Sequence, residues 1–337
     1  MRKIQNVLIV GLALSGMSFG QYAISAKSGL ISYVEGRALL GEQEVVVKTG
    51  GRLTEMKPEQ TLKTEEGRAE VLLSPGVILR LGENSSLKMI ANRLEDTRVE
   101  LLSGVANVEA AELPKDVSVT LLVGDAAVSL RKTALVMLDA EKGIRVYKGE
   151  AQVMAGGSVE ILKDGREMAL VAGQPITKFD KKETDSLYRW AARRAEYHGM
   201  ANIASANSVH QSSQMNSFAS GWIYNPYFNM YTYLPSNGMY NSPFGFVYYS
   251  PTRVSQYYNA VIRSQMPVMN SNSMSGGGFS GPRFDSDLGY HVNSRAAISS
   301  APMGGGGGGG AAAAPAAAPA RGADSGGVRG GGGGSSR

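Results

Sequence analysis

The chain has 337 residues, contains no cysteine and carries a formal net charge of +5. The lack of cysteine excludes disulfides, thiolate metal sites and a cysteine nucleophile. The modest charge, with basic and acidic residues interspersed, disfavours a nucleic-acid partner. Because the final third is rich in glycine and poor in aliphatic residues, the length provides for one folded domain.

Residues 1–20 have the organisation of a secretory leader. Arg2 and Lys3 form a charged start, residues 7–14 form an apolar run, and residues 18–20 include the small residues that a signal peptidase requires. A membrane anchor is the alternative, but the apolar run is shorter than the roughly 20 residues that cross a bilayer. We therefore expect cleavage near Gly20, no membrane span after leader removal, and a periplasmic or secreted location.

Short apolar or alternating runs follow one another between residues 27 and 178, separated by Gly, Pro, Asp or Asn. Residues 74–76 predict a turn between two such runs, because Pro75 presets φ and Gly76 accepts a positive φ. Asp164 and Gly165 predict a tight hairpin. With no helical period in this region, the sequence predicts an all-β domain, and a sandwich, a barrel and a stacked solenoid fit the pattern equally well.

Glycine steps recur in a fixed order along this domain. They are the turn within residues 68–87, the steps Leu-Leu-Ser-Gly-Val-Ala-Asn-Val at 101–108 and Val-Tyr-Lys-Gly-Glu-Ala-Gln-Val at 146–153, and the closing Leu-Val-Ala-Gly-Gln at 170–174. In this order they resemble the FecR domain. The later stretch with Trp190 and its neighbouring arginines ahead of the Ala/Asn-rich residues 201–204 is similar to exported FecR-like proteins of acidobacterial type. The resemblance implies many short strands in a solenoid-like or sandwich-like body. It covers less than half of the chain, and Gly124-Asp125 stands where the family has Gly-Thr.

A helix is predicted over residues 180–206, because Asp180 and Glu183 have the spacing of a capping box. Apolar residues then recur at helical spacing, among them Trp190. Trp190 with Arg193 forms either a docking surface for an anionic partner or a cover over the β-body, and the cover is favoured.

An aromatic-rich segment follows at residues 221–258, where rings alternate with Asn, Pro, Ser and Gly. Such a segment either folds back over the β-body or self-associates, or its rings stack on sugars. The candidate partner contacts are Trp190, Arg193, Trp222, Tyr224, Tyr227, Tyr231, Tyr233, Tyr248 and Tyr249. Residues 264–337 are a Gly/Ala-rich segment for which we expect a disordered tail.

No nucleophile elbow, phosphate-binding loop, dinucleotide fingerprint or zinc-protease motif occurs, and we expect no enzyme activity, cofactor or metal site. The three histidines, His198, His210 and His291, are too scattered to predict a metal centre. The sequence favours an exported cell-envelope protein that acts as a non-catalytic binding or scaffold module, with an envelope protein or cell-wall polymer as partner. The alternative is a periplasmic sensory module that docks a receptor signalling domain in a transmembrane signal relay.

Overall fold

The computed structural model describes residues 24–25, 27–48, 50, 52–170, 174–212 and 219–265. The leader predicted for residues 1–20 and the tail predicted from residue 264, apart from its first two residues, lie outside these ranges. The described residues belong to one compact unit. Within them, no helix is long and apolar enough to cross a membrane.

Short strands make up the chain before the main helix, which confirms the prediction of an all-β body. They are β1 (Ile24–Ser25), β2 (Leu30–Leu40), β3 (Gln43–Glu44), β4 (Thr54–Glu55), β5 (Thr61–Ser74), β6 (Val77–Leu81), β7 (Ser86–Asn92), β8 (Asp96–Ser103), β9 (Val105–Ala110), β10 (Ser118–Val123), β11 (Ala126–Asp139), β12 (Gly143–Ala155), β13 (Ser158–Lys163), β14 (Arg166–Met168) and β15 (Thr177–Lys178).

Seven of these strands form a closed ring, which we call the barrel. The strands β10, β8, β7, β5, β6, β9 and β11 are neighbours in that order, and β10 pairs with β11 to close the ring. All the pairings are antiparallel except that of β8 with β10, which is parallel. The strand pattern left a sandwich, a barrel and a solenoid open, and the pairing of β10 with β11 shows that the sheet is barrel-like. The FecR resemblance had implied a solenoid-like or sandwich-like body instead.

Alternate residues of each strand fill the barrel interior. Ala69 and Val71 of β5 and Leu79 of β6 belong to the interior cluster. Because successive side chains on a strand point to opposite faces, Glu70 and Arg80 lie on the outer face instead. The outer face of β5, β6 and β9 therefore carries both apolar and charged residues that need a cover.

The predicted turn at residues 74–76 is confirmed between β5 and β6, with Gly76 at a φ of 87°. The hairpin predicted at Asp164 and Gly165 is wrong, because β13 and β14 each pair with β12 and not with one another. The N–H of Asp164 donates to the carbonyl of Gly149, and that of Gly165 to the carbonyl of Val146, so the chain stays beside β12 through the bend.

The predicted helix is present as α1 (Ser186–Gln211), but its bounds differ from the expected 180–206. Its N-cap is Asp185, whose carboxylate accepts a backbone N–H of the first turn at 2.6 Å. Asp180 instead accepts the N–H of Lys182 at 2.9 Å in the preceding turn. The capping-box prediction is therefore corrected, because Asp185 and not Asp180 is the residue at which the helix begins.

The aromatic-rich segment forms ordered elements after α1. They are β16 (Gly221–Asn225), β17 (Met230–Leu234), β18 (Met239–Asn241), β19 (Val247–Tyr249) and α2 (Val254–Gln265). We call α1 and these elements the cap. β16 pairs with β1 and β17, and β18 pairs with β19.

The β16–β17 hairpin lies between the barrel and α1. On one face, Trp222 and Tyr233 share a buried cluster with Leu72 of the outer barrel face. On the other face, Ile223 shares a buried cluster with Val209 of α1. Of the alternatives open at the sequence level, the structure shows the one in which the aromatic segment folds back over the β-body.

Candidate functional site

Four of the nine predicted contact residues have buried side chains. Trp222, Tyr233 and Tyr248 pack in one cluster between cap and barrel, and Trp190 lies in a second cluster. These large rings stabilise the contact of cap with barrel by removing apolar area from water, which corrects their assignment as partner contacts. Tyr249 is half-buried, with its ring against α2.

Trp190 covers the β-body at the start of α1. Its Nε1 donates to the carboxylate of Glu35 at 2.9 Å, and the guanidinium of Arg68 lies 5.9 Å from its ring centre. The Tyr33 ring centroid is 6.3 Å away. Trp190 is therefore the cover that the sequence favoured, and Arg193 is the exposed member of the pair.

The remaining predicted tyrosines gather where β16 turns into β17, and we call Tyr224, Tyr227, Phe228 and Tyr231 the aromatic tip. Tyr224 and Tyr231 face one another across the hairpin with ring centroids 5.4 Å apart. Tyr227 packs edge-on against Phe228 at 5.1 Å, yet 84% of its surface is exposed. Phe228 was not among the predicted contacts, and it joins the tip because it adjoins Tyr227.

A buried asparagine holds the tip in place. The Oδ1 atom of Asn225 accepts the N–H groups of Tyr227 and Phe228 at 3.0 and 3.1 Å, the pattern of an Asx turn. Its Nδ2 donates to the carbonyl of Ala201 at 3.1 Å and to Oγ of Ser205 at 2.9 Å, both on α1. The loop that carries Tyr227 is thus fixed to the longest helix of the cap.

The aromatic tip is uncharged. Residues 221–252 include no acidic or basic side chain and no histidine. Burial, and then the neighbouring Tyr224, raises the pKa of the Tyr231 phenol, so that ring stays neutral at physiological pH. The tip can therefore stack on apolar ring faces and form hydrogen bonds through its hydroxyl groups.

A second feature, which sequence reasoning missed, is a cluster of charged side chains beneath the cap. We call Glu70, Arg80, Glu109, Arg194 and His198 the charged joint. Arg80 donates from Nε to Glu70 at 3.1 Å and from Nη1 to Glu109 at 2.7 Å. Glu70 also accepts from Nη2 of Arg194 at 2.9 Å and lies 2.9 Å from Nε2 of His198.

The charged joint connects the barrel to the cap. Glu70, Arg80 and Glu109 project from the outer face of β5, β6 and β9, whereas Arg194 and His198 come from α1. The hydroxyl of Ser242, in the β18–β19 hairpin, donates to Glu109. Since Glu70, Arg80 and His198 have no exposed side-chain surface, a solute does not reach these groups, and their role is to hold elements together.

Charge balance sets the protonation states of the joint. Burial opposes ionisation of Glu70, but Arg194, His198 and Arg80 outweigh it and hold the pKa of that carboxyl well below its usual range. Burial lowers the pKa of His198 despite the adjacent Glu70. The Glu70 carboxylate therefore lies between the guanidinium groups of Arg80 and Arg194, with His198 against it.

Together, the geometry defines an all-β barrel that carries a packed cap. Residues 60–153 match the family model of the FecR protein, and they include all seven strands of the barrel. The protein therefore contains a FecR domain, which confirms the resemblance for this part of the chain. The cap lies outside the matched residues.

Among solved structures, two crystal structures of a candidate anti-sigma factor from Parabacteroides distasonis ATCC 8503 are similar to this chain. Each has 14% sequence identity and a TM-score of 0.31. The matches cover 61% and 60% of this chain, and 91% and 89% of those chains. No curated protein matches the chain.

Proposed function

We propose that the protein is an exported, non-catalytic binding module of the cell envelope, periplasmic or secreted after cleavage near Gly20, that holds its partner through the aromatic tip. In this proposal the FecR-domain barrel is the scaffold and the cap presents the tip. The partner is a cell-wall polymer or an envelope protein, as the sequence suggested.

The observation that carries the proposal is the combination of exposure and fixation at Tyr227. A large ring that is 84% exposed costs free energy in water. The buried hydrogen bonds of Asn225 nevertheless hold its loop in one conformation. A ring fixed in this way binds a partner with little loss of conformational entropy, which is the usual role of tyrosine at binding surfaces.

The absence of charge at the tip favours the glycan strands of the wall over a charged polymer. Sugar rings offer apolar faces that stack on aromatic rings and hydroxyl groups that pair with phenols and amides. A nucleic acid would instead require basic residues beside the rings to neutralise its phosphates, and residues 221–252 supply none.

Sedimentation with purified peptidoglycan tests the proposal. We expect the full-length protein to pellet with peptidoglycan, and Tyr227→Ala to weaken retention about tenfold, because a central ring contributes about 1–2 kcal/mol at an interface. Tyr197→Ala is the matched control, since Tyr197 is an exposed tyrosine on α1 away from the tip sequence, and it should pellet like the unaltered protein. Equal retention of all three proteins, or no retention of any, contradicts the glycan proposal.

A sensory role is the second candidate, and the FecR-domain match at residues 60–153 favours it. In this role the barrel docks the periplasmic signalling domain of a receptor, and a separate membrane protein passes the signal inward. The same variants discriminate the two roles. Binding of a purified receptor signalling domain that Tyr227→Ala leaves unchanged, together with no retention on peptidoglycan, supports the sensory role.

A further inference from the structure

The strand β13 forms an open edge of the sheet. Among the residues that the structure describes, β13 pairs with β12 alone, whereas the neighbouring β14 pairs with both β12 and β15. The side of β13 that faces away from β12 therefore has no strand partner within the part of the chain that the structure describes. Such an edge is a template for another strand, and proteins usually protect it with charges, proline or bulges.

The exposed side chains of this strand include Glu160 and Lys163, but also two large apolar ones. Val159 and Ile161 on β13 are 55% and 48% exposed, and Met154, directly opposite Val159 on β12, is 53% exposed. They share one face of the sheet because alternate residues of a strand lie on the same side. The strand therefore combines an open edge with an apolar strip, as a pairing strand does.

The hairpin geometry shows which backbone groups face the open side. Gly156 and Gly157, with φ of 55° and 80°, form the two-residue turn between the paired residues Ala155 and Ser158. Such a turn closes on a hydrogen-bonded pair, after which hydrogen-bonded and non-hydrogen-bonded pairs alternate. The even-numbered residues of β13 thus point their backbone N–H and C=O groups toward β12. The N–H of Asp164, the next even-numbered residue after β13, also donates to β12.

The open side accordingly presents the backbone groups of Val159, Ile161 and Lys163. In an antiparallel pairing of two copies, the two-fold axis, which we call the centre, passes through a hydrogen-bonded or a non-hydrogen-bonded pair, so it can lie at any residue of this stretch. A centre at Glu160 places two carboxylates opposite each other, and a centre at Leu162 leaves Val159 without an open residue opposite it. A two-fold axis at Lys163 would place two ammonium groups opposite each other, which is unfavourable. A two-fold axis at Val159 would leave Lys163 without a strand residue of the second copy opposite it. A centre at Ile161 pairs Ile161 with itself and Val159 with Lys163 in both directions.

We propose that β13 pairs antiparallel with β13 of a second copy of this chain, centred on Ile161, so that two sheets become continuous. This register uses all three open residues and places no like charges directly opposite, since Glu160 faces Leu162 on the other side of the sheet. It also brings the two apolar strips together. The inference is independent of the peptidoglycan proposal, and a dimer would add avidity to any partner that the protein binds.

Sedimentation analysis of the full-length protein tests the pairing. We expect a dimer for the unaltered protein and a monomer for Ile161→Lys, which puts two cations on the axis while leaving an exposed position exposed. Val46→Lys is the matched control, because Val46 is an exposed valine outside the strands, and it should remain dimeric. A monomeric unaltered protein at about 100 μM, far above the micromolar constants of weak specific interfaces, overturns the proposal, as does a dimer of Ile161→Lys.

Disulfide trapping tests the register without relying on a disruptive variant, because the chain has no other cysteine. Hydrogen-bonded antiparallel partners have Cα atoms about 5.5 Å apart, which is within disulfide reach. Ile161→Cys should therefore form a covalent dimer on mild oxidation. Val159→Cys should not, since the two copies of residue 159 would lie about 13 Å apart along the strands. Efficient trapping of Val159→Cys, or no trapping of Ile161→Cys, contradicts this register.

Discussion

Arg80 is the residue on which the contact of barrel with cap depends most. It has no exposed surface, and it lies between Glu70 and Glu109 while its guanidinium sits 5.8 Å from the ring centre of Phe244. Burial opposes its charge, but Glu109 and Glu70 outweigh burial and raise its pKa. Removing Arg80 would leave two carboxylates buried and close together with fewer positive partners, a costly arrangement.

We expect Arg80→Ala to lower the free energy of unfolding by about 3–5 kcal/mol, the range for breaking a buried ion pair from one side. Lys181→Ala is the control, because Lys181 pairs with Asp164 at an exposed position, and it should cost no more than about 1 kcal/mol. Urea denaturation of both variants measures the difference. Equal losses of unfolding free energy for the two substitutions would show that the charged joint contributes no more to stability than an exposed ion pair.

The charged joint illustrates what a sequence pattern leaves open at the residue scale. Glu70, Arg80 and Glu109 alternate with inward apolar residues, as solvent-exposed polar residues of a strand also do. The pattern thus identifies the outer face without showing that a cap covers it. The turn at residues 74–76 did not predict the pair of Glu70 with Arg80, because a register shift between Leu72 and Ser74 is what places Arg80 opposite Glu70.

Among the elements, the paired strands β11 and β12 depend on one glycine at a register shift. β11 shifts register between Leu130 and Ala134, and Gly149 of β12 lies opposite Ala134 with a φ of 79°. A Cβ atom at Gly149 would lie 2.1 Å from the carbonyl oxygen of Thr133. Both the backbone conformation and the close approach therefore require glycine.

We expect Gly149→Ala to destabilise the protein more than Gly41→Ala. Gly41 also has a positive φ, 63°, but a Cβ atom there would meet nothing within 4 Å. Gly41→Ala should cost about 1–2 kcal/mol for the left-handed conformation, and Gly149→Ala about 1–3 kcal/mol more for the steric clash. Thermal denaturation compares the two variants, and the same loss for both would contradict the role assigned to Thr133.

The positions of most elements were predictable, whereas their ends and partners were less so. The apolar run after the predicted turn at residues 74–76 forms β6, because it is bounded by glycine turns on both sides. The start of α1 was misplaced because Asp180 and Asp185 both precede the helical pattern. The aromatic segment gave no strand prediction, because its Asn, Pro and Gly residues are typical of turns.

At the scale of the whole molecule, the barrel and cap form one packed unit. The outer face of β11 and β12 contributes Leu135, Met137 and Tyr147 to the cluster that contains Trp190. The outer face of β5 and β6 contributes to the cluster that contains Trp222. The FecR-family match covers residues 60–153, so the cap lies outside the matched residues, as do β1–β4 and β13–β15.

Equilibrium unfolding followed by two signals tests most directly whether the cap and barrel act as one unit that fixes the aromatic tip. The chain has two tryptophans, Trp190 and Trp222, and both belong to the cap, so their fluorescence reports the cap. The far-ultraviolet strand signal reports mainly the barrel. We predict that both signals change at the same urea concentration, as a cooperative unit requires. Loss of the tryptophan signal at a lower concentration than the strand signal would contradict the account.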